Sequence, residues 1–166
     1  MIFQHPQASK TTQVLKDLIR INNDRIGGYQ AALNQLTNLD SATKQMFSEI
    51  ISEGTSYRVQ LTQKVRQLDP DVRTNPNILG KIYMAWNDLK IALVNTSQRS
   101  VISSCLYNEE IALHAYRAAL GKDSGISHEV IQLLSEQEAG LKKNYELLKC
   151  YREIRHMSHA SLLQLV

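Results

Sequence analysis

Cysteine, proline and glycine are all scarce in this sequence, with two, three and seven residues among 166. Two cysteines cannot form a disulfide framework, and Cys105 and Cys150 show no CxxC or metal-ligand spacing. Both are expected to be reduced and packed. The shortage of glycine and proline excludes collagen-like and low-complexity classes. No apolar run approaches the roughly 20 residues that a membrane span requires, so no membrane partner is expected. Residues 1–7 lack a basic stretch followed by an apolar one, so no secretory leader is expected and the location is read as cytoplasmic. Charge of one sign is also lacking. Nineteen Lys and Arg oppose sixteen Asp and Glu, for a net charge of +3. The basic residues are scattered, so nucleic acid is not an expected partner.

What remains is rich in Leu, Ala, Gln, Glu and Lys, and its apolar residues recur with a helical period. The expected fold is all-α, a single domain over residues 1–166. A first helix over 9–38 carries Leu15, Leu18, Ile19, Ile26, Tyr29, Leu33 and Leu36 on one stripe. A second over 41–68 carries Phe47, Ile50, Ile51, Leu61, Val65 and Leu68, with Asp40 or Ser41 suited to cap it and Pro70 to stop it. A short helix over 78–93 follows, then long helices over 97–120, stopped by Gly121, and over 128–156.

The loops predict antiparallel pairs, first with second and third with fourth. The long connection over 70–96 predicts something else. A short helix and two extended flanks span about 50 Å, the full length of a bundle, so the second and third long helices are free to run parallel. A four-helix bundle with one long crossover has the ferritin-like topology.

Several short patterns carry a resemblance. Asn22-Asn23-Asp24 followed by Gly28-Tyr29, Trp86-x-x-Leu89-Lys90, Cys105-x-x-x-Glu109 and Tyr116-x-x-Ala119-Leu120 span most of the chain. Together they resemble a bacterial ferritin-like family filed as a domain of unknown function. The resemblance implies a four-helix bundle and raises the question of a di-metal site. It also implies a histidine in the fourth long helix, where this chain has Tyr145.

Di-metal sites of that architecture take a Glu from each of two helices and Glu-x-x-His from the other two. This sequence contains no Glu-x-x-His. A rearranged ligand set for iron or another divalent metal would draw on Glu109, Gln137, Asn22, Glu53, Glu110 and Glu138, but no cofactor is expected. Projection at about 100° per residue centres the inner faces on Asn22, Gly54, Glu109 and Gln137, with Arg58 about 40° from Gly54. The expected polar core layer is therefore Asn22, Arg58, Glu109 and Gln137, with Glu109 paired to Arg58 or to amides. The hydroxyls of Tyr29, Tyr57, Tyr116 and Tyr145 are available as further partners.

His114 projects outward, and His156 with His159 lack a third ligand. Cys105 reads as core rather than nucleophile. The expected role is non-catalytic: a bundle with a degenerate di-metal site, acting through self-association or partner binding. The alternative is an atypical non-haem di-metal protein that binds or oxidises iron. A dimer is the expected assembly, through the crossover residues Tyr83, Met84 and Trp86 or the tail Leu162, Leu163 and Val166.

Overall fold

Asp40 decides where the second helix begins. Its backbone is extended, at φ −68° and ψ 161°, and its carboxylate accepts the Thr43 amide at 2.9 Å, which satisfies a donor that the first helical turn leaves free. In the computed structural model, which describes residues 6–35, 39–69, 98–121 and 126–163, four helices account for nearly all of these. They are α1 (Pro6–Gln35), α2 (Ser41–Leu68), α3 (Gln98–Ala119) and α4 (His128–Leu163). No strand occurs among the described residues.

Helix ends follow local chemistry. Proline fits the first helical position, and α1 starts at Pro6 rather than at residue 9. After Leu68 the chain closes with the Asp69 amide on the Val65 carbonyl at 2.9 Å, and Pro70 follows in the sequence. Past Ala119, the Gly121 amide reaches the Ala118 carbonyl at 3.3 Å, ending α3 where glycine was expected to stop it. By contrast α4 runs on to Leu163, beyond the expected end at 156. No glycine or proline interrupts that stretch. The expected helix over 78–93, including Tyr83, Met84 and Trp86, lies outside the described residues, as do Val166 and the side chains of Leu162 and Leu163.

Packing order follows from paired residues. α1 lies against α2 and α3, while α4 lies against α3 and, more loosely, α2. Arg25 and Asn23 of α1 meet Glu53 and Arg58 of α2 in descending against ascending order, so these two helices are antiparallel. The same test with Asn22–Tyr116 and Arg25–Glu109 makes α1 antiparallel to α3. Two helices antiparallel to the same neighbour are parallel to each other. α2 and α3 therefore run in the same direction, as the long connection predicts.

The apolar stripes make two clusters at different heights. One gathers Leu15, Leu18, Ile19, Leu61, Leu113, Val130, Leu134 and Leu141. The other gathers Ala32, Met46, Phe47, Ile50, Ile102, Leu106 and Leu148, with Tyr29 edge-on to Phe47 at 5.0 Å between centroids. Beyond the second cluster, Tyr151 of α4 donates to Asp40 at 2.8 Å and is hydrogen-bonded to Thr43, tying α4 to the start of α2. Between the two clusters, at mid-height, the polar residues enter.

Candidate functional site

The mid-height residues form two tiers rather than one layer. In the neutral tier, Asn22 donates to the Tyr116 hydroxyl at 2.8 Å. Tyr116 donates to Gln137 at 2.7 Å, and Gln137 donates to Gln60 at 2.8 Å. This chain of amides and a phenol crosses all four helices. Asn22 also returns a bond to the Leu18 carbonyl of its own helix at 2.9 Å.

About one helical turn away, Arg25 enters the core almost fully buried, at 2% exposure. Its Nε donates to Glu109 Oε1 at 2.5 Å, and its Nη2 donates to Glu53 Oε1 at 3.3 Å. Tyr29 adds a second donor to Glu109 Oε1 at 2.8 Å, and Asn144 donates to Glu53 Oε1 at 2.6 Å. The Tyr57 hydroxyl and Glu53 Oε2 both stand beside Gly140. The guanidinium thus bridges two carboxylates from α2 and α3. Glu109 is wholly buried, while the Glu53 side chain keeps 28% of its surface in water.

Two helix-interior glycines make the room. At Gly54, a Cβ would stand 3.2 Å from Arg25 Nη1 and 3.1 Å from Ile26 Cγ1. At Gly140, it would fall 1.9 Å from the Tyr57 hydroxyl, so only glycine lets that ring lie across α4. Glycine in mid-helix costs about 1 kcal/mol relative to alanine, and here the close approach of polar side chains offsets it.

Electrostatics follow from burial. Desolvation raises the Glu109 carboxyl above the usual range, and Arg25 and the Tyr29 hydroxyl act against that rise. For Arg25 burial opposes the charge, yet Glu109 more than compensates and the guanidinium stays firmly protonated. Burial, then Glu109, drives the Tyr29 phenol well above its ordinary value. Burial and Glu109 also raise the Cys105 thiol, so it has no thiolate character near neutrality.

The expected pairing of Glu109 with Arg58 is not what forms. Arg58 Nη1 donates to Asn23 Oδ1 at 3.2 Å and stays half-buried. The reason is the packing order: α2 and α3 stand diagonally, so a side chain from α1, which lies between them, reaches both. Asn22, Glu109 and Gln137 do turn inward as projected. Of the remaining candidate ligands, Glu53 joins Arg25, Glu110 is exposed, and Glu138 is held by Arg117 at 3.0 Å on the outside. His114 is exposed, as projected. Cys105 is buried, but Cys150 lies exposed on α4 rather than packed.

These residues do not fit a pair of divalent cations. Only two of the candidate carboxylates converge, and the guanidinium of Arg25 stands between them. Among the described residues no three His, Cys, Asp or Glu side chains gather as a metal-binding group. A shallow surface groove between α2 and α4, lined by Gln60, Gln63, Lys64, Gln67, Glu129 and Leu133, is crossed by a Lys64–Glu129 ion pair.

Projection passed over Arg25, Gln60 and Asn144. Arg25 did leave a signal: it lies about 60° from Asn22, beside Ile26 and Tyr29, on a stripe otherwise free of charge.

The family model of the domain of unknown function DUF2383 matches residues 10–122. The chain belongs to that family. No curated protein matches it. The DUF2383 match covers all three members of the charged tier, Arg25, Glu53 and Glu109, and ends just after α3. Gln137, Gly140 and Asn144, which complete the two tiers from α4, lie beyond it.

Proposed function

We propose that this DUF2383 chain is a ferritin-like bundle without a catalytic centre, and that it works by self-association. Parallel, diagonal α2 and α3 support the ferritin-like order, because that arrangement needs one long crossover. The polar interior supports a structural core, since its inward side chains are engaged with one another across the helices.

The outer face of α3 carries the proposal. Ser100, Ser104, Tyr107, Ile111, His114 and Ala118 recur at alternating steps of four and three residues, the spacing of a helix-pairing seam. None of the six is Asp, Glu, Lys or Arg. Tyr107 is 64% exposed and Ile111 45%, one turn apart. Tyrosine is enriched at interfaces because it buries a large rigid ring at low entropic cost. The occupant is a second copy, with α3 packed on α3 about a two-fold axis, the commonest closed symmetry for small proteins.

Sedimentation velocity tests this. The wild-type chain is expected to sediment as a dimer, and Tyr107→Glu with Ile111→Lys as a monomer with unchanged helical circular dichroism. A wild-type monomer at high concentration, or a dimer that survives both substitutions, would overturn the proposal.

A further inference from the structure

One wholly buried carboxylate, Glu109, and one part-exposed carboxylate, Glu53, share a single guanidinium, so the charged tier holds one more acid than base. The shortage has an atomic address. Glu109 Oε2 is buried and has no hydrogen-bond partner, while Oε1 of the same carboxylate takes both Arg25 and Tyr29. Glu53, the opposite carboxylate, is drawn toward the same guanidinium and steadied from behind by Asn144. Gly54 leaves open the space that Arg25 Nη1 occupies, and Nη1 itself has no acceptor there.

We propose that this tier is a cation slot filled by the protein's own guanidinium, and that without Arg25 the same slot takes one divalent cation between Glu53 and Glu109. The donors are all oxygen: the two carboxylates, the Tyr29 hydroxyl and the amide of Asn144 turned over. Such a set suits a hard cation of the magnesium or manganese kind rather than a thiolate-seeking one. One site follows rather than two, because only two carboxylates converge. The native chain excludes the metal because the guanidinium is tethered. Its effective concentration at the slot exceeds any free cation, and a cation entering would place two positive centres side by side.

Manganese(II) is the probe, with thermal melting and the electron paramagnetic resonance signal of the free ion as readouts. Wild-type protein is expected to show neither a saturable shift nor loss of the free-ion signal. Arg25→Ala is expected to melt lower and to take up about one manganese per chain. At a concentration a hundredfold above Kd, its melting temperature then rises by at least about 5 °C. Adding Glu109→Gln to Arg25→Ala is expected to abolish uptake. Where Arg25→Ala does not fold alone, its refolding yield with and without manganese reads the same binding. Arg25→Gln, whose amide keeps one donor toward Glu109, serves as the milder variant. Manganese uptake by the wild type at mid-core, or indifference of both Arg25 variants to manganese, would overturn the proposal.

Discussion

The two polar tiers lie about one turn apart in the same bundle, yet they hold it together in different ways. The neutral tier is a relay in which Asn22 donates to Tyr116, Tyr116 to Gln137 and Gln137 to Gln60. Losing one member leaves a neighbour short of a partner, a cost of about 1–3 kcal/mol. In the charged tier Arg25 serves two acids at once, and neither Arg25 nor Glu109 has water to retreat into. There the partners are worth little net against an apolar pair, but each is indispensable while the other remains. Net stability and mutual dependence are therefore separate properties, and the bundle keeps one tier of each kind.

Double-mutant cycles in urea give the largest contrast. Glu109→Leu or Arg25→Met alone is expected to cost about 3–5 kcal/mol, because each strands a buried charge, and the two together much less than their sum. Pairing Glu109→Leu with Arg58→Met is expected to be additive, since Arg58 bonds Asn23 instead. Coupling to Arg58 in place of Arg25 would break the comparison.

Next comes Gly140→Ala. A methyl at 1.9 Å from the Tyr57 hydroxyl forces a shift of the ring, and a cost of about 1–3 kcal/mol is expected despite the better helix former. With Tyr57→Phe the nearest remaining ring atom is 3.2 Å away, and the double variant is expected to recover most of that loss in thermal melts.

In the neutral tier, Gln137→Leu is expected to cost about 1–3 kcal/mol, because Tyr116 and Gln60 both lose their partner. Adding Tyr116→Phe is expected to restore part of it. Coupling as large as that between Arg25 and Glu109 would erase the distinction between the tiers.

The smallest effect is alkaline. Burial, followed by Glu53, pushes the Tyr57 phenol up to about 12. A phenol raised above its ordinary value of about 10 contributes stability that is full below pH 10 and lost as pH rises through 12. Tyr29 and Tyr116 shift in the same direction through burial. Ultraviolet titration should show these three ionising late and together with unfolding. Ordinary titration of Tyr57 near pH 10 would place it in water.

Much of this was legible in the residues alone. The stripe through Leu15, Leu18, Ile19 and Ile26 states a helix and its buried face. Asp40 announces a cap through its own side-chain chemistry, and the long connection permits α2 and α3 to run parallel. Asn22, Glu109 and Gln137 were recognisable because a helical wheel fixes direction from the axis. What the wheel does not fix is which neighbour stands there. Arg58 and Arg25 both lie near an inner face, and only the diagonal placement of α2 and α3 makes Arg25 the one that reaches Glu109. A guanidinium at 2% exposure also runs against the usual preference of arginine for water, which kept Arg25 from standing out.

The bond between Arg25 and Glu109 joins residues 84 positions apart, one from each helical hairpin. Contacts within each hairpin join neighbouring helices, whereas closing one hairpin upon the other strips water from both ions in the same event. That stripping makes a barrier on the way in and, once the ions have met, a barrier on the way out. Stopped-flow refolding of the Arg25→Met, Glu109→Leu pair should therefore outrun the wild type at the step where the hairpins dock. The ion pair is then expected to act mainly on the rate of assembly, as a brake upon joining the two hairpins.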